Sequence, residues 1–168
     1  MTTPDFETLL RLLADHQIPF VVVGGYSAML HGSALMTRDV DVVCPMTPDV
    51  LTELQQALAP HAPVHRMHPD RPPFTAEQAS GGEWNNLYLS TDLGVLDCLG
   101  EIRGIGDFDA CLARSIALDL GSFEIRVLSL DALIEAKRAM GRPRDLHTAE
   151  ELEAIRMQQN KRSPRSEQ

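Results

Sequence analysis

The chain has 168 residues, and its 24 acidic side chains against 15 Lys and Arg give a formal net charge of −9. Its apolar content of 43% and charged content of 23% are those of a globular protein, which excludes disordered and fibrous classes. A chain of about this length buries roughly 70% of its unfolded surface and needs no disulfide or structural metal. The acidity excludes a broad nucleic-acid-coating surface, because phosphate neutralisation requires many basic side chains.

The three cysteines, Cys44, Cys98 and Cys111, form no close pair, which is typical of a reduced protein. The first residues show neither a basic nor an apolar leader region. The uncharged segment 17–37 is interrupted by a proline and a glycine pair, which favours a turn over a membrane span. We therefore expect a cytoplasmic protein with no membrane partner.

Apolar residues three and four apart predict helices, and short β-branched runs predict strands. Thr3 is predicted to cap the first helix. The predicted helices cover residues 6–13, 26–30, 48–58, 130–140 and 145–157, and the predicted strands cover residues 20–23, 40–43, 64–67, 87–90, 95–99, 115–120 and 123–128.

Two strand pairs flank short turns and are predicted to be hairpins. The proline-rich segment 59–82 is predicted to be mostly irregular. We assign one domain to residues 1–157 and a flexible polar tail to residues 158–168. The pattern predicts an α+β fold in which helices flank a small mixed sheet.

The most informative pattern lies between two predicted strands. The first strand ends at Gly24 and Gly25 and opens a helix, which presents free backbone N–H groups to an anion such as phosphate. The next strand carries Asp39 and Asp41, whose side chains point to the same face because they are two residues apart. Taken alone, a glycine pair after a strand more often forms a tight turn than a phosphate site. Two aspartates spaced in this way more often lie on a solvent-exposed face of a strand than in a functional site. Together they indicate a divalent cation beside a phosphate.

A third acid, Asp97, interrupts an apolar strand, where an unpaired charge would cost several kcal/mol. A metal ion would remove that cost. The neighbouring Asp92 is its competitor, but its place at the tip of a predicted hairpin favours a turn role.

These motifs resemble the signature of the nucleotidyltransferase superfamily, which includes DNA polymerase beta, aminoglycoside nucleotidyltransferases and bacterial abortive-infection and toxin–antitoxin nucleotidyltransferases. Residues 24–32 and 37–41 are similar to small prokaryotic stand-alone members near the toxin branch. Residues 133–138 and 142–146 resemble that branch's lysine-bearing helix and Arg-x-Lys-Asp element. The resemblance covers about residues 17–155. It implies the nucleotidyltransferase fold and transfer of an NMP from an NTP, such as ATP, to an acceptor hydroxyl.

The resemblance also implies residue roles. Asp39, Asp41 and Asp97 would be the catalytic residues and the ligands of two Mg²⁺ ions, for which Mn²⁺ is an alternative. Lys137 would act as a point charge on the triphosphate. Many relatives have serine at position 25, so the hydroxyl of Ser27 or backbone groups would make that contact. The full set of implied nucleotide contacts is Gly24, Gly25, Ser27, Thr37, Arg38 and Lys137.

A local basic cluster meets the need for positive charge near a triphosphate. Residues 126–144 hold five basic side chains against two acids, within a chain of net charge −9. The five are Arg126, Lys137, Arg138, Arg142 and Arg144.

The acceptor stays open at this point. A toxin-type member would modify a tRNA and have an antitoxin partner, whereas an antibiotic-type member would modify a small hydroxylated molecule, and a protein acceptor is a further alternative. A rival from another class is a non-catalytic nucleotide- or partner-binding module. The presence of all three aspartates favours the enzyme.

Overall fold

The computed structural model describes residues 3–163. The helices are α1 (Phe6–Asp15), α2 (Gly24–Leu30), α3 (Pro48–Leu58), α4 (Ala76–Gly81), α5 (Phe108–Ala113), α6 (Leu130–Met140) and α7 (Pro143–Arg162). The strands are β1 (Val21–Val23), β2 (Asp39–Val43), β3 (Val64–His65), β4 (Asn86–Thr91), β5 (Gly94–Leu99), β6 (Glu101–Ile102), β7 (Gly106–Asp107), β8 (Ser115–Asp119) and β9 (Glu124–Leu128). A short 3₁₀ helix, Ala59–His61, follows α3.

A seven-stranded mixed sheet organises the molecule, in the order β3-β4-β5-β2-β1-β9-β8. Strand β2 runs parallel to β5, and β1 runs parallel to β9, whereas the other pairs are antiparallel. Strands β6 and β7 form a separate small hairpin. The predicted fold class, a mixed sheet flanked by helices, is confirmed.

Both faces of the central strands are buried, because alternate residues of a strand point to opposite sides. Val22, Val42 and Leu96 pack on one side with residues of α1, α3 and α4. Val21 and Val43 pack on the other side with residues of α5, α6 and α7. The two helical layers therefore hold β1 and β2 rigidly from both sides.

Both predicted hairpins form, as β4–β5 and β8–β9, and α6 covers the predicted residues 130–140. The cap of α1 was placed wrongly: Asp5, not Thr3, accepts the backbone N–H of Thr8, so Pro4 precedes the helix. Helix α2 begins at Gly24, two residues before the predicted start.

Two six-residue helices were not predicted, because they are too short to show an apolar period. Helix α4 lies inside the segment expected to be irregular and begins with a capping box formed by Thr75 and Gln78. Helix α5 begins at the N-cap residue Asp107.

Helix α7 continues through Arg162, beyond the predicted end at residue 157. Its last turn contains Lys161 and Arg162, whose charges suit the negative end of a helix. Residues 158–162 of the expected tail are therefore helical, and residues 164–168 lie outside the described residues. Of the described helices, none combines the length and the apolar character needed to cross a membrane.

Candidate functional site

Three carboxylates meet on one face of the sheet. Parallel pairing of β2 with β5 places Asp41 directly beside Asp97, and Asp39 lies two residues earlier on β2. One oxygen of each side chain lies within 4.8 Å of the others. The structure thus brings the three predicted acids together, while Asp92 lies in the turn between β4 and β5.

This cluster is electrostatically unfavourable without a cation. The pKa of Asp41 is raised to about 7, mainly by burial and also by the charges of Asp39 and Asp97, whereas Lys137 and Arg66 oppose the shift. Carboxylate oxygens are the donors that Mg²⁺ and Mn²⁺ prefer. The donor set and its excess negative charge therefore fit a divalent cation.

Gly24 is required at the start of α2 for two reasons. Its φ of +67° lies in the left-handed region that other residues rarely adopt. A Cβ at this position would also lie 2.2 Å from Oδ2 of Asp41. The first turn of α2 therefore lies directly against the acid cluster, as the glycine motif predicts.

The missing side chain at Gly25 leaves room for the hydroxyl of Thr37. A Cβ here would lie 3.1 Å from Oγ1 and 3.2 Å from Cβ of Thr37, so a serine would crowd that side chain. The Thr37 hydroxyl lies 3.0 Å from both the carbonyl oxygen and Oδ1 of Asp39 and donates there. Thr37 therefore orients Asp39.

The predicted nucleotide contacts largely share one cavity of about 760 Å³. It opens between the loop before β2 and the helices α6 and α7. Its lining includes Gly25, Thr37, Arg38, Asp39, Lys137 and Arg144. An acid, a glycine turn and three cations thus face one space.

Lys137 connects this cavity with the acid cluster. It also lines a smaller cavity of about 140 Å³ together with Gly24 and Asp41. Its Nζ lies 3.6 Å from Oδ1 of Asp145, a carboxylate that is only 2% exposed and also binds Arg142. Asp145 therefore fixes the position of the lysine.

The predicted basic cluster is only partly realised. Lys137 and Arg144 line the larger cavity, but Arg138 pairs with Glu153 on α7. Arg142 pairs with Asp145, and Arg126 lies exposed on β9 away from both cavities. Three of the five, Lys137, Arg138 and Arg142, are therefore paired with acids of the fold, and of the five Lys137 and Arg144 line the larger cavity.

Ser27 lies in the interior of the protein rather than in the lining of the larger cavity. Its side chain is fully buried, and its hydroxyl has no hydrogen-bond partner among the described residues. Because α2 begins at Gly24, position 27 turns into the protein and away from the cavity. The contact of this hydroxyl with phosphate stays a prediction.

Arg66 is a residue of the site that the sequence pattern does not indicate. Its Nε lies 2.9 Å from Oδ1 of Asp97 and its Nη2 lies 2.5 Å from Oδ2, so both carboxylate oxygens are engaged. The only available signal was a basic residue at the end of a predicted strand. Its partner Asp97 is 31 residues away in the sequence, and the two side chains meet only after β3 has paired with β4 and β4 with β5.

Solved structures share this architecture. A candidate nucleotidyltransferase from Thermotoga maritima superposes with a TM-score of 0.55 at 19% identity, covering 96% of each chain. The lincosamide antibiotic adenylyltransferase LnuA, with lincomycin bound, gives a TM-score of 0.60 at 14% identity, covering 92% of this chain and 98% of that one. The chain has the nucleotidyltransferase fold.

A further structure with this nucleotidyltransferase fold is that of ANT(2'')-Ia in complex with adenylyl-2''-tobramycin. It gives a TM-score of 0.52 at 14% identity and covers 94% of this chain and 96% of that one. No protein-family model and no curated protein matches the chain. The fold implied by the sequence motifs is thus confirmed, and the activity has to be argued from the site.

Replacing Gly24 by alanine should destabilise the protein by about 1–3 kcal/mol, because it adds backbone strain and a clash with Asp41. Urea unfolding measures the loss. The matched control is Gly121→Ala, where φ is +100° but nothing lies within 4 Å of the added Cβ. Equal decreases in the free energy of unfolding of the two variants would show that the contact with Asp41 does not contribute to the destabilisation.

Replacing Asp41 by asparagine should stabilise the ion-free protein in a pH-dependent way. A pKa raised from 3.8 to about 7 means that the folded state binds a proton more tightly than the unfolded chain. The stabilisation that the folded protein gains from binding this proton is complete below pH 4 and is lost as the pH rises through about 7. The advantage of Asp41→Asn should therefore grow from pH 4 to 7, to at most about 4 kcal/mol, and then level off.

Thermal unfolding in a chelator, followed across this pH range, tests the effect. Added Mn²⁺ should stabilise the wild-type protein at pH 8 more than the variant. An advantage that does not change with pH would contradict the assignment of the buried charge to Asp41.

Proposed function

We propose that this protein is a divalent-metal-dependent nucleotidyltransferase that moves an NMP from an NTP to a hydroxyl group of a small polar molecule. The observation that carries the proposal is the gathering of Asp39, Asp41 and Asp97 beside the glycine-led start of α2. The adjoining cavity adds Lys137 and Arg144. Acid ligands and phosphate-binding cations thus meet at one place.

The proposed roles follow from charge and position. Asp39, oriented by Thr37, and Asp41 would hold Mg²⁺. When bound, Mg²⁺ supplies positive charge that polarises the phosphoryl oxygens. Lys137 and Arg144 would bind the triphosphate. The backbone N–H groups at Gly24 and Gly25 and the exposed Arg38 would add further contacts to its oxygens.

In the proposed reaction the acceptor oxygen attacks the α-phosphorus of the NTP. The bond from that phosphorus to the bridging oxygen breaks, and pyrophosphate leaves with the bonding electrons. We assign to Asp97 the uptake of the proton from the acceptor hydroxyl. Lys137 would stabilise the charge that develops on pyrophosphate.

A third cavity supports a small-molecule acceptor. It measures about 1010 Å³, near the upper end of the range for small-molecule sites, and it shares Ile102 and Arg103 with the small cavity at Asp41. Its lining includes the polar side chains of Asn85, Asn86 and Glu101. These groups can hydrogen-bond a hydroxylated molecule.

Charge argues in the same direction. The net charge of −9 and the internal pairing of Arg138 and Arg142 leave few cations for an RNA backbone. The names of two structural neighbours mention lincomycin and tobramycin, which are small molecules. No described feature favours a tRNA acceptor or an antitoxin partner.

Incubation with an α-³²P-labelled NTP, Mg²⁺ and a fractionated cell extract tests the proposal. Label should enter the small-molecule fraction rather than the RNA or protein fraction. Asp41→Asn should lower the rate by about 100- to 1,000-fold, because losing this carboxylate weakens binding of the cation that would stabilise the developing charge. Asp109→Asn, on α5 outside the three cavities, is the matched control and should retain activity.

Unchanged transfer by Asp41→Asn would refute the assignment of the site. Label confined to RNA would refute the small-molecule acceptor while leaving nucleotidyl transfer intact.

A further inference from the structure

Arg66 is held firmly beside the acid cluster. It directly follows β3, and its backbone N–H donates to the carbonyl oxygen of Tyr88 at 3.0 Å. Its guanidinium lies over the Tyr88 ring, 5.5 Å from the centroid, and its Nη1 lies 3.2 Å from Sδ of Met67. These contacts aim the guanidinium at Asp97.

The pair with Asp97 is bidentate and largely dry. Nε and Nη2 of Arg66 donate to the two carboxylate oxygens at 2.9 and 2.5 Å. The Asp97 side chain is 7% exposed, and that of Arg66 is 27% exposed. Charge-assisted bidentate pairs in such surroundings are among the stronger polar contacts in proteins. The pKa of Arg66 is raised by its hydrogen bonds to Asp97, and the charges of Asp39 and Asp41 contribute.

Counting charges shows what the cluster still needs. When all three carboxylates are ionised, as they would be with a cation bound, they carry −3, and Arg66 reduces the sum to −2, which is the charge that one divalent ion neutralises. Lys137 lowers the pKa of Asp41 but is also paired with the buried Asp145, whereas Arg66 is the cation in direct contact with Asp97. A second divalent ion would therefore have to displace Arg66 from Asp97 or add excess positive charge.

We propose that Arg66 is a positioning residue that takes the place of a second divalent cation at Asp97, so that the nucleotide-free protein binds one divalent ion, through Asp39 and Asp41. The inference rests on the proposed function for the role of that ion. A triphosphate offers Arg66 an alternative bidentate partner, which would release Asp97 for the reaction. Arg66 thus delays completion of the site until nucleotide arrives.

Titration with Mn²⁺ alone, in the absence of nucleotide and followed by the electron paramagnetic resonance signal of free Mn²⁺, counts the bound ions. The wild-type protein should bind one ion per chain. Arg66→Met keeps an unbranched apolar stem but removes the guanidinium and its charge, and it should bind two. Arg114→Met is the matched control, because Arg114 forms a bidentate pair with Glu135 at the surface, and it should bind one.

Asp97→Asn gives a second measurement that does not depend on how well Arg66→Met folds. Asparagine still accepts a hydrogen bond from Arg66, so this variant should keep the single ion with affinity near that of the wild type. Loss of the ion in Asp97→Asn would show that Asp97 is already a ligand and would overturn the inference.

Two further outcomes would overturn the inference that Arg66 takes the place of a second cation at Asp97. One is two ions in the wild-type protein. The other is a loss of affinity of about 10- to 100-fold in Arg66→Met, which is typical of a residue that merely orients a metal ligand. The count uses neither NTP nor acceptor. A protein that binds one ion and transfers no nucleotide would therefore refute the proposed function and leave the inference about Arg66 intact.

Discussion

Repulsion among three carboxylates is the constraint around which the other parts of the site are arranged. Pairing of β2 with β5 forces Asp41 and Asp97 side by side, and Asp39 is added by the alternation of the strand. In a partly buried place such charges repel strongly, since little water screens them. Neighbouring cations partly neutralise this negative charge: Arg66 binds Asp97, and Lys137 brings a further positive charge close to Asp41.

The fold meets this constraint with rigid elements rather than loops. Strand β2 packs between two helical layers, with Val40 and Val42 buried on one face and Val43 on the other, which restricts how far its acids can move apart. The backbone at Gly24 packs against Asp41, so the Asp41 side chain has no room to move in that direction. Sites supported in this way hold their geometry before any ligand binds, which suits chemistry that depends on positioning.

The sequence revealed those parts of the site that are local along the chain. The glycine pair and the acids of β2 are close in sequence, and Asp97 stood out because an acid interrupted an apolar strand. Arg66 was missed because its partnership exists only after β3 pairs with β4. Ser27 was misplaced because α2 begins two residues earlier than its apolar pattern indicates, which turns that side chain inward. The short helices α4 and α5 lie below the length at which periodicity is informative.

The position of β1 in the sheet has a consequence for how the protein is made. Strand β1 lies between β2, its near neighbour in sequence, and β9, which is synthesised much later. The cavity between the glycine turn and Lys137 on α6 is therefore absent until the C-terminal third of the chain has docked. Such distant pairing slows folding. A nascent chain that has not yet reached α6 consequently carries the acidic motif without the complete pocket, which forms only after β9 and α6 have been synthesised.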